Sequence, residues 1–471
     1  MAPWIQHEMA ELDLGDARLN RRAEKVLGAM SAAPGASLPR ACGSHSDLIG
    51  AYRLFDHSAA TLPQMLSGHR AATLRRAAAE SVVLVVQDST WLDYTTLRSC
   101  RGLGPHSHRG ERGMLAHASV LVSAAGSVLG TLAVPTLLHG LSGERTHRRD
   151  RPEHLRQSYR WVQAHAEAMA LAQTQPQVTW LSVQDREGDL YGLFAQPRSA
   201  NGHWLVRARH DRATRLTATD APQRMRAQVA AARVMGTMQV QVPPRAGRPA
   251  RTATLQVRVT PVQLQPPRQD KAQRAAAAPT AVAATLVWAR EVDATTGTAP
   301  LDWLLVTSMP VGNWAAAQQL IQWYRCRWRI EEFFRVLKSE TALEDLQLGT
   351  RQRLEAALGL HLILAWRICA LRDQARAHPT QSCEPYFTSP EWHVLCLLVT
   401  DVIPTQPPSL GEAVVLLARL GGYLHLSSHH PPRPSHHRAR LALPACRPAP
   451  RRENQPGLEA KRCVESSAPG R

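Results

Sequence analysis

Closely spaced cysteine pairs are missing from this chain of 471 residues. Its eight cysteines are scattered, and no two of them stand in a C-x-x-C spacing. The pattern excludes a zinc ribbon, which needs such pairs. In a chain of this length, the cysteines instead predict reduced thiols and a cytoplasmic protein.

The sequence also lacks the marks of a secreted or membrane-spanning chain. No basic stretch followed by an apolar run is visible at the N-terminus, so no secretory signal is expected. A charged content of 20% excludes a polytopic membrane protein. One uncharged stretch, residues 114–138, is long enough to cross a bilayer, but a turn signal at 123–127 interrupts it. We therefore expect a buried β-hairpin there, with a membrane span as the alternative.

Acidic residues are scarce relative to basic ones. The chain has 38 Asp and Glu against 56 Lys and Arg, a formal net charge of +18. Such an excess favours a polyanionic partner, of which nucleic acid is the commonest, over a merely soluble basic protein. A hydrophobic content of 44% excludes a fully disordered chain, and the length allows about three domains.

The first 75 residues or so are expected to be helical. Asp16 is a plausible N-cap for a helix crowded with four basic residues: Arg18, Arg21, Arg22 and Lys25. A second helix is expected around residues 50–56. A helical module with basic faces could dock on a duplex backbone, and a solvated charged helix is the alternative.

Two short apolar runs further along predict strands that are covered on both faces. Residues 81–87 form the first and end at Asp88, while residues 178–184 form the second and end at Asp185. A hairpin lies between them, followed by a helix-like stretch at 152–173. Strands alternating with helices predict an α/β core.

The sequence after residue 202 divides into segments of different composition. Residues 203–310 are mostly β and contain a hairpin tip with three arginines and no nearby acid, which suits a finger that contacts phosphates: Arg245, Arg248 and Arg251. Residues 266–283 predict a loose loop, residues 313–345 one long helix, and further helices run to about 425. Residues 427–471 lack apolar periodicity and are expected to be disordered.

The two aspartates are candidate ligands of a hard cation. In an open α/β sheet, ligands bind outside the carboxyl ends of the strands. Magnesium takes one or two carboxylates together with phosphate oxygens and water. The alternative role for Asp185 is a helix N-cap. The nearby Asp189 is expected to be a supporting or surface acid.

A third candidate acid lies on the long helix. At about 100° per residue, Arg327, Glu331 and Lys338 fall within about 60° of Tyr324, and Glu332 falls off this stripe. Glu331 is therefore the carboxylate expected to lie with the tyrosine and the two cations. An exposed polar face with an Arg327–Glu331 pair is the alternative.

The Tyr-x₂-Arg-x₃-Glu-x₆-Lys spacing resembles the signature of a bacterial transposase family. These are the DDE transposases of the fourth insertion-sequence group, which includes the transposon-five transposase. Asp88 and Asp185 match the family's first two acidic ligands. The similarity extends over residues 10–424 and covers further stretches at 50–55, 184–189, 300–308 and 418–423.

The resemblance implies a ribonuclease H-like catalytic core interrupted by a β-rich insertion. The core would comprise residues 76–205 and 303–350, with the insertion at 206–302. An N-terminal helical DNA-binding domain at 1–75, a C-terminal helical region at 351–425 and an atypical tail at 426–471 would complete the chain. Residues 1–75 would hold the transposon end.

It further implies that Asp88, Asp185 and Glu331 bind two Mg²⁺ ions, with Mn²⁺ as a possible substitute. These ions would support cleavage at transposon ends and strand transfer. The resemblance assigns DNA contacts to six other residues. Trp303 would stack on a flipped base, and five residues would contact the backbone: Tyr324, Arg327, Lys338, Arg207 and Arg209. A core tryptophan is the alternative for Trp303.

The implied partners are double-stranded DNA, both the inverted-repeat ends and the target, and a second protomer in the paired-end complex. The tail after Leu424 departs from the family pattern, which puts this dimer in doubt. No membrane partner is expected. The expected location is the bacterial cytoplasm, in association with the nucleoid. The alternatives are a catalytically compromised DNA-binding remnant and a ribonuclease H-like nuclease without strand transfer. A carbohydrate hydrolase would explain neither the charge nor the stripe.

Overall fold

The computed structural model describes residues 2–106, 110–138, 157–242, 250–267, 280–294 and 299–420. The chain begins, as expected, with a run of helices: α1 (Pro3–Met9), α2 (Ala17–Ala32), α3 (Leu38–Cys42), α4 (His45–Phe55) and α5 (Leu62–Ala78). Asp16 caps α2 by accepting the amide of Arg18 at 2.6 Å, so the predicted helix start is confirmed.

The described residues then form one large mixed sheet flanked by helices. Its strands are β1 (Val82–Asp93), β2 (Gly104–Pro105), β3 (Arg112–Ser123), β4 (Val128–Ala133), β5 (Thr136–Leu137), β6 (Thr179–Gln184), β7 (Gly202–Arg207), β8 (Ala213–Arg215), β9 (Gln223–Arg224), β10 (Val234–Val242), β11 (Arg251–Leu264), β12 (Val282–Glu291) and β13 (Asp302–Thr307). The mixed α/β class expected from the sequence is confirmed.

The centre of the sheet explains the apolar runs. Strand β1 pairs with β3 antiparallel and with β6 parallel, and β6 in turn pairs with β7 parallel. Leu84 and Val86 belong to the hydrophobic cluster on one face, while Val83 and Val85 belong to the cluster on the other. A strand buried on both faces needs apolar residues at every position, which is the pattern in the sequence.

The uncharged stretch 114–138 forms strands, so the membrane span considered for it is wrong. Strands β3 and β4 pair antiparallel across a turn in which Gly126 has a φ of +94°. A φ of this sign favours glycine because it has no Cβ to clash. The predicted buried hairpin is therefore confirmed, and its burial inside the protein explains the lack of charge.

The β-rich region expected at 203–310 extends the same sheet. Strand β13 pairs with β7 on one side and with β12 on the other, and β12 continues to β11. Strands β10 and β11 form a long hairpin. Residues 243–249, between these two strands, lie outside the described residues, as do residues 268–279 of the loop expected at 266–283. The last two residues of that expected loop begin β12 instead.

The remaining helices are α6 (Tyr159–Thr174), α7 (Tyr191–Phe194), α8 (Met225–Ala230), α9 (Trp314–Arg325), α10 (Trp328–Arg335), α11 (Arg351–Ala377), α12 (Ser389–Thr400) and α13 (Leu410–Leu420). Among the residues that the structure describes, helix α11 is long and apolar enough to cross a membrane, but 83% of its most apolar stretch is buried inside the protein. It packs mainly against α5 and β4. The expected disordered tail lies outside the described residues.

Candidate active site

Asp88 and Asp185 occupy equivalent positions on neighbouring parallel strands. The parallel pairing of β1 with β6 reaches Val86 opposite Val183, and each aspartate lies two residues beyond that last pair. The prediction that β1 ends at Asp88 is wrong. The strand runs on to Asp93 because its antiparallel partner β3 continues to pair with it past the end of β6. The end of the parallel pair therefore sets the position of Asp88.

A tight turn holds Asp185. Its Oδ1 accepts the amide of Glu187 at 2.7 Å and caps a single 3₁₀ turn, Arg186–Gly188. The capping role considered for Asp185 is thus real. It uses only one carboxylate oxygen in this contact, and the side chain remains partly exposed. Capping and metal binding are therefore compatible at this residue.

Asp189 is buried, so of the two roles expected for it, a supporting acid is confirmed and a surface acid is wrong. Only 2% of the residue is exposed. Its carboxylate accepts the amides of Arg209 and His210, each at 2.7 Å, and pairs with the guanidinium of Arg212. These bonds fix the backbone just after β7 against the turn that carries Asp185, so Asp189 has a supporting role.

Glu331 meets Asp88 through an arginine. Arg327 donates from Nη2 to Glu331 Oε1 at 2.6 Å and from Nη1 to Asp88 Oδ2 at 3.3 Å. Glu332 pairs with Arg329 instead. The structure thus brings Asp88 and Glu331, which are far apart in the chain, to one guanidinium group, and it directs Glu332 elsewhere.

The carboxyl group of Asp88 lies in a field of negative charge. Burial raises its pKa to about 6, and the charges of Asp185 and Glu331 act in the same direction, while the amide of Ser89 and the charge of Arg327 oppose them. Asp185 and Glu331 therefore lie near enough for their charges to act on Asp88. A cation placed among them would relieve the repulsion.

The single long helix predicted over 313–345 is wrong. Helix α9 ends at Arg325 and α10 begins at Trp328, with bonds of 3₁₀ spacing between them, such as Arg327 N to Tyr324 O at 3.0 Å. A π-helical turn, Val336–Glu340, follows α10. The rotation per residue therefore changes twice along the segment.

The expected stripe is only partly assembled as a result. Tyr324 is buried, and its hydroxyl lies within the fields of Arg327 and Arg207. Lys338 turns away to the backbone oxygen of Trp91 and pairs with Glu344 at 3.2 Å. The structure thus groups Tyr324, Arg327 and Glu331, and it places Lys338 further along β1.

The other candidate DNA contacts differ in placement. Trp303 is half-buried on β13, with its ring centroid 5.9 Å from that of Tyr324. Arg207 ends β7 and donates to the backbone oxygen of Asp302 at 3.0 Å, and Arg209 is exposed just beyond the strand. Trp303 and Arg207 thus lie beside the buried tyrosine, whereas Arg209 lies next to Asp189.

The predicted arginine finger is only partly visible. Arg245 and Arg248 lie outside the described residues. Arg251 begins β11 and forms a two-contact ion pair with Glu291 on β12. The expectation that no acid lies near it is therefore wrong, because strand pairing brings in a residue 40 positions away.

Sequence reasoning missed a second cation beside the aspartates. Arg160 on α6 donates from Nε to Ser89 Oγ at 2.9 Å and pairs with Glu187 at 2.8 Å. Its pKa is lowered mainly by burial, against the charges of Glu187, Asp88 and Asp185. Local sequence gives no signal for it, since 71 positions separate it from Ser89.

The donor set suits a hard divalent cation, although the acids do not form a tight cluster. Within the described ranges, no three His, Cys, Asp or Glu side chains are grouped closely enough to hold a metal ion. The guanidinium of Arg327 bonds to two of the acids and separates them. Three mutually repelling carboxylates at the end of a parallel strand pair nevertheless offer the oxygen ligands that Mg²⁺ prefers.

An acidic centre of this kind, set in a basic chain and bordered by arginines, is typical of enzymes that act on phosphodiesters. Residues 1–60 match the family model described as transposase DNA-binding, and residues 185–367 match the one described as transposase DDE domain. The two matches cover more than half of the chain, which belongs to the DDE-type transposases. The DDE domain implies a ribonuclease H-like fold, in agreement with the mixed sheet.

The two matches agree with the position of the elements. The first spans α1 to α4, and the second begins at Asp185 and includes Glu331 and most of α11. DNA binding and transposition are therefore the functions of this chain at the level of the family.

Proposed function

We propose that this protein is a Mg²⁺-dependent cut-and-paste transposase that cleaves DNA at the ends of its own insertion sequence and joins them to a target. The resemblance to the fourth insertion-sequence group, with the transposon-five transposase, supports this finer assignment. We also propose a bacterial cytoplasmic location at the nucleoid, since the substrate is DNA.

The observation that carries the proposal is the convergence of three acids. Asp88 and Asp185 lie at equivalent positions past the parallel pair, and Arg327 bonds to both Asp88 and Glu331. Each acid has a local partner, in the turn that Asp185 caps and in the two contacts of Arg327, but the charges of Asp185 and Glu331 still repel that of Asp88, and a bound cation would offset this cost.

Asp88, Asp185 and Glu331 would hold two Mg²⁺ ions. Bound there, the ions would activate the attacking oxygen and stabilise the leaving oxygen in an in-line displacement at phosphorus. The protein's own task is positioning. Arg327, released from the acids, can contact a phosphate through its planar guanidinium, which matches phosphate oxygens in two-contact geometry.

Three further residues are proposed to orient the DNA strand. Arg207 supplies a cation next to Tyr324, whose buried hydroxyl can bond to a phosphate. Trp303 lies beside Tyr324 and offers a ring for base stacking, which offsets the cost of unstacking a base. The proposed role of Lys338 requires its side chain to leave Glu344.

The domain division into an N-terminal DNA-binding region, a catalytic core, an insertion and C-terminal helices is part of the proposal. So is the expectation of weak paired-end complexes, which concerns residues after 420. A stable assembly of two protomers with two ends in sizing experiments would contradict that expectation.

The test is a Mg²⁺ reaction on a plasmid that carries the element's two ends. The wild-type protein is expected to nick at the ends and to join them to target DNA. Asp88→Ala, Asp185→Ala and Glu331→Ala are each expected to lose cleavage and to retain DNA binding. Glu332→Ala is the matched control and should cut normally. Normal nicking by Glu331→Ala would overturn the assignment.

The same reaction separates the alternatives. A ribonuclease H-like nuclease would cut the plasmid and never join ends. A DNA-binding remnant would shift the end-bearing DNA in a gel and leave it intact with Mg²⁺ or Mn²⁺. Joined products that depend on all three acids would exclude both.

A further inference from the structure

Two buried glutamines precede the two aspartates of the proposed metal site. Gln87 comes directly before Asp88 on β1, and Gln184 comes directly before Asp185 at the end of β6. Neither glutamine is exposed to solvent. A strand that is covered on both faces is expected to be apolar throughout, so two amide side chains at this level need a physical reason.

The glutamines lie on the face of the sheet opposite Asp88. Side chains alternate between the faces along a strand, and Val83 and Val85, which share the face of Gln87, belong to the cluster that helix α6 covers. Asp88 lies on the other face, where Arg327 contacts it. The sheet thus separates the glutamines from the acids, and any effect that they have on a metal ion must pass through the backbone.

The two glutamine side chains bond to each other across the strand pair. Gln184 Nε2 donates to Gln87 Oε1 at 2.7 Å. Both amides also donate to Ser182 Oγ, at 3.2 Å from Gln184 and at 3.4 Å from Gln87. The parallel pairing of β1 with β6 reaches no further than Val86 and Val183. The bond between the glutamines therefore joins the two strands one residue beyond their last pair and one residue before the aspartates.

Beyond this bond, different neighbours hold the two aspartates. Strand β1 continues along β3, with Asp88 opposite Ala118, whereas Asp185 enters the 3₁₀ turn that it caps. The charge of Asp185 acts against that of Asp88, so the two segments repel each other when no cation lies between them. A directional bond between buried amides resists this movement and specifies one arrangement of the strands, which an apolar contact would not do.

We propose that Gln87 and Gln184 are positioning residues that fix the distance between Asp88 and Asp185 and thereby set the affinity of the site for divalent cations. Mg²⁺ demands nearly ideal octahedral geometry, so the spacing of its carboxylate ligands decides how well it binds. The inference rests on the proposed transposase function. It concerns two residues to which the resemblance assigns no role.

The test compares full chains that carry Gln87→Leu, Gln184→Leu or both changes. Leucine has a similar size and no amide, so each single variant removes the partner of one buried amide, whereas the double variant replaces both members of the pair. Each single variant should therefore melt at a lower temperature than the wild type, and the double variant should recover most of that loss.

Thr214→Val is the matched control for stability. The side chain of Thr214 is buried and donates to the backbone oxygen of Gln223 at 3.2 Å. It lies on β8, near the far end of the same sheet. The control variant thus loses a hydrogen bond of a buried side chain without any change beside the aspartates.

Metal affinity is the readout that a purely structural role would not change in this pattern. Mn²⁺ binding to each protein with end DNA is followed by electron paramagnetic resonance, with the DNA alone as the blank. Both single variants and the double variant are expected to bind Mn²⁺ about tenfold more weakly than the wild type, as the loss of groups that orient metal ligands does. Thr214→Val should lose stability and keep the affinity of the wild type.

The double variant separates positioning from stability. If it recovered both its melting temperature and its Mn²⁺ affinity, the glutamines would only stabilise the fold, and the inference would be overturned. An equal loss of affinity in Thr214→Val would overturn it as well, because general instability would then explain the effect.

A failure of the proposed function would give a different result. If the wild type bound no Mn²⁺, the site of three acids would fail and the inference with it. If the wild type bound two ions and all three glutamine variants bound them equally well, the role of the glutamines would be removed and the acids would stand.

Discussion

Arg327 is the residue on which the charge balance of the site depends. It contacts Asp88 and Glu331 together, and only 16% of its side chain is exposed. Carboxylates that repel one another need a counter-charge, and in this structure the guanidinium of Arg327 supplies it. A divalent cation that binds the same acids must therefore compete with Arg327.

Arg327→Gln is expected to make the fold more dependent on Mg²⁺. Without the metal, the variant should lose about 1–3 kcal/mol of stability, because the partly buried acids lose their partner. Added Mg²⁺ should then raise its melting temperature more than it raises that of the wild type. Differential scanning fluorimetry across a Mg²⁺ titration measures this.

Arg329→Gln is the control for that experiment. It removes a comparable ion pair, to Glu332 and Asp373, away from the three acids. It should lower the melting temperature without any added response to Mg²⁺. An identical Mg²⁺ response in Arg327→Gln and the wild type would show that Mg²⁺ does not compete with Arg327 for the acids.

The turn after β6 is the element that orients the side chain of Asp185. Gly188 ends the 3₁₀ turn, and a Cβ built on it would stand 2.0 Å from Gln184 Oε1. Gln184 is itself fully buried and bonded to Gln87 on the neighbouring strand at 2.7 Å. Close packing of this turn against the strand pair requires a residue without a side chain at 188.

Gly188→Ala is expected to disturb the position of Asp185 more than the global fold. Overpacking of a buried site costs about 1–3 kcal/mol, and the strain falls on the turn that carries the carboxylate. Strand cleavage should fall at least tenfold while binding of end DNA persists. Gly312→Ala, where a Cβ would meet nothing within 4 Å, should leave both unchanged. Equal cleavage by the two variants would refute this role of the turn.

The helices and strands also show which parts of the fold could be predicted from the sequence. The apolar runs predicted β1, β6 and the β3–β4 hairpin, because a strand that is buried on both faces needs apolar residues at nearly every position. A constant 100° per residue failed between 313 and 345, because a 3₁₀ step and a π-helical turn change the helical rotation there. It still paired Arg327 with Glu331, since Arg327 is the N-cap residue of α10 and Glu331 lies in the first turn of that helix.

Contacts between distant segments could not be predicted. The bond from Arg160 to Ser89, the ion pair of Arg251 with Glu291 and the burial of Asp189 all depend on tertiary packing. No periodicity encodes them.

At the scale of the whole molecule, a buried ion cluster links the N-terminal helix α1 to α5 and to the mixed sheet. Glu8 on α1 accepts from His69 Nδ1 at 2.6 Å and forms a two-contact pair with Arg76 on α5. His69 Nε2 accepts the amide of Thr131 on β4 at 3.1 Å, which fixes the proton on Nδ1. The cluster therefore spans the DNA-binding helices and the sheet.

Glu8 should make the folded state sensitive to acid. Although burial opposes it, the hydrogen bonds from His69 and Arg76 and the charge of Arg76 lower the pKa of Glu8 from 4.5 to about 2. A carboxyl whose pKa is lowered by folding stabilises the protein above its unfolded value, and that contribution is lost as pH falls from about 4.5 toward 2. Thermal unfolding across this range should show the loss in the wild type.

Glu8→Gln is expected to remove that acid sensitivity and to cost about 3 kcal/mol near neutral pH, because it leaves buried partners unpaired. Glu11→Gln, at an exposed ion pair with Arg75, is the control and should cost under 1 kcal/mol. An unchanged pH slope in Glu8→Gln would show that the cluster does not couple the two regions through this charge.

The proposed transposase activity depends on three acids acting as one metal site. Mn²⁺ binding to the protein with end DNA, followed by electron paramagnetic resonance, tests this most directly. We predict that the wild type binds two ions and that Asp88→Asn, Asp185→Asn and Glu331→Gln each lose binding, while Glu332→Gln binds as the wild type does. Full Mn²⁺ binding by any one of the first three variants would contradict the claim.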